Sequence, residues 1–144
     1  MHRPTIGAEA SAWIEKVLAG SPLAAVLGIG VIEAHPDRVI LGLPFRPENC
    51  TVGTVVHGGA LATLVDIAAA AASASALADG AAAGGATASL TIAYLAPADG
   101  VGLTAEAVVI QRSRSQTVSD ICVRSADGGI IAKALVTSRI VARR

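Results

Sequence analysis

Residues 57–77 read HGGALATLVDIAAAAASASAL, and the fold depends on how that stretch is read. From Ala60 to Leu77 there is no Gly, no Pro and a single charge, Asp66. Leu61, Leu64, Val65, Ala68 and Ala72 trace one stripe at helical spacing. The other faces are Ala and Ser, so the predicted helix is apolar nearly all round. Such a helix has to be covered on most sides. Asp79-Gly80 ends it, and the small residues Ala81 to Gly85 read as a loop. By length alone Gly59 to Ala78 passes for a membrane span. Its apolar content is mostly Ala, however, and Asp66 would cost roughly 2.5–3.5 kcal/mol near a bilayer centre. The expectation is a buried core helix and no membrane partner.

Working outward, Ala8 to Leu18 reads as an amphipathic helix with Trp13, Ile14, Val17 and Leu18 on one side. Gly20-Ser21-Pro22 stops it, and a short apolar stretch, Leu23 to Leu27, ends at Gly28. Ile29 to Ala34 and Val39 to Phe45 make a hairpin about His35-Pro36-Asp37-Arg38. Beyond the long helix everything reads as strand: Thr87 to Leu95, Gly102 to Gln111, Gln116 to Arg124 and Ile130 to Val141. Asp127-Gly128-Gly129 is a hairpin turn. Strands run together and joined by tight turns predict an antiparallel sheet and an α+β fold. The sheet is the one object large enough to cover the helix, by curling around it.

The 144 residues are one domain's worth of chain. A hydrophobic fraction of 53% against 15% charged excludes disorder. Eleven basic residues balance eleven acidic ones, which argues against nucleic-acid binding through a basic field and against a polybasic membrane surface. An apolar chain without net charge has little to keep its copies apart, which hints at an oligomer. Cys50 and Cys122 form neither a disulfide framework nor a metal-ligand spacing, and read as small buried apolar residues in a reducing compartment. No apolar signal-peptide region follows Met1, so the expectation is a cytoplasmic protein.

Three features of the central segment suggest chemistry. Asp66 sits in an apolar helix with no basic partner nearby in sequence. That suits general-base work, or a carboxylate that caps a neighbour or reaches solvent at an interface. His57-Gly58-Gly59 opens the helix. Glycines there allow a ligand close to the backbone, and the free N–H groups of a first turn can hold an oxyanion. Taken alone, the same three residues make a tight loop-to-helix turn. Finally, Gly58 and Asp66 are eight residues apart, or roughly 12 Å of helix rise. One carbonyl cannot meet both on the same helix, so a shared reaction needs a second copy arranged about a two-fold axis.

The run VHGGALATLVDIA (56–68), followed by TASLTIAYLAP (87–97), resembles the hotdog-fold acyl-CoA thioesterases of the phenylacetate-pathway (PaaI) type. The resemblance covers the chain from about Leu23 onward. It implies a curled antiparallel sheet around one long helix, an acyl-CoA substrate, no metal or other cofactor, and active sites at a homodimer interface, commonly within a homotetramer. By resemblance, Gly58 donates its N–H to the thioester oxygen, with Gly59 beside it in the substrate loop. His57 shapes that loop and contacts the substrate, the partner's Asp66 activates water or attacks directly, and Thr87 orients that water. The family's Asn six residues before the His is here Thr51. Asn49 stands eight before, with Gly53 displaced in the same loop: Asn49 takes the role, Thr51 substitutes weakly, or the role is lost. Arg112, Arg114 and Ser115 lie at a strand end where relatives bind CoA phosphates, or in a solvated turn. Two other readings compete: a hydratase or dehydratase on the same fold, and a non-catalytic acyl-CoA or acyl-carrier binding protein.

Overall fold

The structure, a computed structural model, describes residues 5–143. Strand β1 (Gly30–His35) turns back into β2 (Arg38–Leu43), and the long helix α3 (Gly58–Ser75) follows. Then come β3 (Ala82–Tyr94), β4 (Leu103–Arg112), β5 (Gln116–Ser125) and β6 (Ile130–Ala142). The six strands form one antiparallel sheet in the order β1-β2-β4-β5-β6-β3. Helix α3 packs against every one of them. Its stripe is buried as predicted: Leu61, Leu64, Val65, Ala68 and Ala72 all lie in the core. Facing them are Val39, Leu41 and Leu43 of β2 and alternate residues of β4, β5 and β6. The α+β expectation holds, and the membrane-length helix is the core of a folded domain.

The sheet does not cover α3 alone. Helix α1 (Ala8–Ala12) continues into a π-helical turn over Trp13–Leu18, closed by the Ala19 N–H donating to the Ile14 carbonyl at 2.8 Å. With α2 (Pro22–Leu27), these segments lie against α3 on its remaining side. The stretch Leu23 to Leu27 is therefore helix. Its punctuation is complete: the Ser21 hydroxyl accepts from the Ala24 N–H, Pro22 occupies the first turn, and Gly28 at φ 83° ends it. Of the predicted α1 stripe, Ile14 is buried and Leu18 half-buried, while Trp13 and Val17 stay exposed. Both cysteines are free and half-buried rather than enclosed.

The predicted loop Ala81 to Gly85 is a correction: strand β3 already begins at Ala82 and pairs with Ala142 at the far end of β6. Ala and Gly are weak strand formers, but β6 is equally long and supplies the ladder, so the tertiary pairing overrides local preference. A second feature of β3 was not anticipated. Thr87 pairs with Ser138 and Ser89 with Thr137, leaving Ala88 as an extra residue. From Ala132 onward the buried side chains of β6 are Ala132, Ala134, Val136 and Ser138, and their partners on β3 are Tyr94, Ile92, Leu90 and Thr87. Simple alternation would put Thr87 on the opposite face from Tyr94. The bulge at Ala88 restores it to the face that looks at α3.

The turn at Asp127-Gly128-Gly129 is as expected. The Ser125 hydroxyl and the Gly129 N–H donate to the Asp127 carboxylate and hold it below the usual carboxylate range.

Candidate active site

The start of α3 is shaped by a set of fixed hydrogen bonds. His57 is the N-cap, in extended conformation, and its Nδ1 accepts from the Gly59 N–H at 2.8 Å. A backbone N–H can only donate, so Nδ1 carries no proton and a neutral ring holds its proton on Nε2. The His57 carbonyl accepts from the Leu61 N–H at 3.1 Å. The Tyr94 hydroxyl donates to the Gly58 carbonyl at 2.9 Å. None of the described residues accepts from the Gly58 N–H, which is an orphan donor of the first turn.

The loop before the helix places the two candidates for the Asn role differently. The His57 N–H donates to the Asn49 carbonyl at 2.7 Å, so residues 49 and 57 lie side by side despite eight steps of chain. The intervening residues leave and return through the Cys50–Val56 bridge, with Gly53 at φ 58° in the excursion. Asn49 is buried beside the helix start, its Nδ2 donating to the Leu27 carbonyl at 2.9 Å. Thr51 is exposed, away on the excursion.

Two turns into α3, the Thr87 hydroxyl donates to Asp66 Oδ1 at 2.5 Å. The structure thus brings these two candidate residues together within one chain. Asp66 is half-buried rather than enclosed. It borders an open groove of about 310 Å³ between α3, the N-terminal helices and the ends of β3 and β6. Trp13, Val17, Ala70, Ala74, Leu77 and Ile140 make the groove largely apolar. The exposed side of the π-helical turn is thus its outer wall. His57, Gly58 and Gly59 do not border it. Within one chain the carboxylate and the orphan amide face different spaces, as their separation along the helix requires.

Arg112 is a correction to the predicted phosphate cluster. Its Nε and one terminal nitrogen donate to Asp37 Oδ1 at 3.0 and 2.8 Å. The same terminal nitrogen reaches the carbonyls of Ala72 and Ser73 at 3.3 and 2.9 Å. A cation is thereby fixed at the C-terminal turn of α3, where helix carbonyls lack partners. The Asp37 N–H donates to the Ser75 hydroxyl at 2.8 Å and completes the clamp. Arg114 and Ser115 remain exposed in the turn. Replacing Arg112 by Ala is expected to destabilise the fold by about 2 kcal/mol, the scale of charged hydrogen bonds. A denaturant melt checks it; an unchanged midpoint would mean the clamp contributes nothing. Among the described residues, no group of three His, Cys, Asp or Glu side chains is placed to hold a metal ion.

Sequence reasoning gave Tyr94 no role, and the structure puts its hydroxyl on Gly58. The Arg112 clamp had no local signal, since Asp37 is 75 residues away.

Set against known proteins, residues 53–132 match the Thioesterase superfamily. Over 118 residues the chain is 35% identical to a candidate esterase of Halobacterium salinarum, spanning 80% of this chain and 78% of that protein. It is similar in structure to the E. coli PaaI protein from the phenylacetic acid degradation operon. There the TM-score is 0.81 at 24% identity, over 92% of this chain and 94% of the other. A hypothetical thioesterase of Streptococcus pneumoniae, solved with coenzyme A, aligns with a TM-score of 0.71 at 21% identity, over 81% and 88% of the two chains.

Proposed function

Because this chain belongs to the thioesterase superfamily and has the hotdog fold of its PaaI-type members, we propose that it hydrolyses an acyl-CoA thioester to a carboxylic acid and CoA-SH. The observation that carries the reading is the Asp66–Thr87 pair at the border of an apolar groove, with an unpartnered Gly58 N–H at the start of the same helix. The acyl group lies in the groove. At about twice the ~150 Å³ apolar cavity that holds a benzene ring, the groove suits a medium-length or aromatic group. The coenzyme A bound to the pneumococcal neighbour supports a CoA ester over other thioesters.

The active unit in this reading is a homodimer, with homotetramers as the natural further assembly. Asp66 of one protomer and Gly58 of its partner then address one carbonyl. Water, held by Thr87 and Asp66, attacks the acyl carbon while its proton passes to the carboxylate. The carbonyl oxygen gains negative charge and is stabilised by the Gly58 N–H. Collapse breaks the carbon–sulfur bond, and the CoA thiolate recovers the proton. His57 takes no part as a base: its Nδ1 lone pair is committed to Gly59 and its Nε2 bears the proton. That commitment counts against a hydratase or dehydratase, which would need a free imidazole. The two unpaired cysteines accord with a cytoplasmic location.

An acyl-CoA panel with a thiol-release readout, run beside a solution mass measurement, tests the reading. Turnover of medium-chain or aryl esters by a dimer or larger assembly is expected. No turnover of any CoA ester, or a monomer that is fully active, would overturn it. With Arg112 committed to the fold, Arg114 is the cation of that turn left for the CoA phosphates. Arg114→Ala is expected to raise KM roughly threefold for a CoA ester and leave the matching pantetheine ester unchanged, as loss of one exposed charge contact would. Equal effects on both esters would dismiss the phosphate contact.

A further inference from the structure

Tyr94 is the only tyrosine of the chain, and the residue is 54% exposed in relative terms. It nevertheless makes a well-formed hydrogen bond, its hydroxyl donating to the Gly58 carbonyl at 2.9 Å. A Cβ built on Gly58 would lie 3.6 Å from the phenol ring and its oxygen, so the ring also lies over that residue. From these contacts we infer that Tyr94 is a positioning residue for the Gly58 N–H. The inference rests on the proposed role of that N–H in hydrolysis.

The physical need comes from the two glycines. Gly58 and Gly59 open α3, and glycine keeps more backbone freedom than any other residue. Helix ends fray by themselves. An oxyanion donor, by contrast, helps catalysis only if it already points where charge will develop. Each side of the Gly58 unit is held by a different device. His57 Nδ1 takes the Gly59 N–H, the Leu61 N–H takes the His57 carbonyl, and Tyr94 takes the Gly58 carbonyl. With the peptides before and after Gly58 both anchored, its N–H has one direction left. Tyr94 suits the task because a phenol reaches far from the strand and donates without adding charge near the anionic transition state.

The same strand carries both contacts to α3. Thr87 of β3 holds Asp66, and Tyr94 at the end of β3 holds Gly58. The carboxylate and the amide are thus registered to one another by a single extended segment, even though they serve different sites.

Tyr94→Phe tests the inference, since it keeps the ring and removes the donor. The expected result on the best CoA ester is a kcat lowered about tenfold with KM changed less than about twofold, the scale of one neutral hydrogen bond felt only in the transition state. The thermal midpoint should stay within a few degrees. In a Gly58→Ala background, where the backbone is already restricted, the same change should lower kcat by less than about threefold, because the two residues act on one conformational freedom. Unchanged kcat, a rise in KM alone, or an equal loss in both backgrounds would each overturn the positioning role. A readout free of turnover separates this inference from the hydrolysis it rests on. In amide NMR, the Gly58 and Gly59 resonances of Tyr94→Phe should shift and lose order on the fast timescale. Identical glycine order in both proteins would refute it whatever the enzyme hydrolyses.

Discussion

Asp66→Asn is expected to lower kcat by a factor of about 10²–10⁴, the range that general-base catalysis supplies, while the protein stays folded. The two side chains have the same shape. The amide oxygen of Asn can still accept from the Thr87 hydroxyl, which now donates to Asp66 Oδ1 at 2.5 Å. What the amide cannot do is take a proton from water. A half-buried residue on the edge of a groove is also a place where the exchange leaves core packing alone. Thiol release and a thermal melt measured together decide the matter. Turnover equal to wild type, in a protein that melts at the same temperature, would remove the carboxylate from the mechanism.

The second large effect is expected at Gly58 and concerns a backbone atom. Proline is favoured at the first helical position because its missing N–H has no helical acceptor to lose. The preceding residue, His57, already has the extended φ −61° and ψ 133° that a following proline requires. Gly58→Pro therefore deletes the orphan donor with little insult to the helix, and kcat should fall about 10²–10³-fold, as when one oxyanion donor is lost. Gly58→Ala, which retains the N–H, should fall far less. Mixing the two inactive proteins adds a sharper result. If each site combines one chain's Asp66 with the other chain's Gly58, a heterodimer of Asp66→Asn and Gly58→Pro contains one fully native site. Random reassociation should then restore about a quarter of wild-type activity, by the arithmetic of a two-fold interface. A mixture that stays inactive after demonstrated subunit exchange would place both groups in a single-chain site and defeat the composite mechanism.

The central helix was legible because hydrophobic spacing is a local property. Leu61, Leu64, Val65, Ala68 and Ala72 declare a face, and that face is buried. The hairpins were legible for the same reason, whereas the place of β3 beside β6 had no local signal, and motif resemblance named Asp66 and Thr87 without pairing them. What escaped was whatever depended on distant partners. Arg112 beside Ser113, Arg114 and Ser115 looks like a solvated basic turn until Asp37 and the end of α3 arrive from elsewhere in the chain. The start of β3 is a run of Ala and Gly with no alternation, and β6 alone makes it a strand. Near Ala88 the side chains are too small to show which face they take, so no pattern marks the extra residue.

That extra residue sets a constraint on how the chain can vary. Thr87 and Tyr94 are seven positions apart, an odd number, yet both side chains address α3 because Ala88 stands out of the ladder. Substitution at the outward positions between them, Thr91 and Ala93, is cheap, but a one-residue insertion or deletion reverses the pleat for everything on one side of it, Leu90 and Ile92 of the core included. Grafting this segment from a relative one residue longer or shorter would leave either the threonine or the tyrosine facing solvent. Chimeras should be cut outside 87–94, and length in that window should be held fixed while its composition drifts.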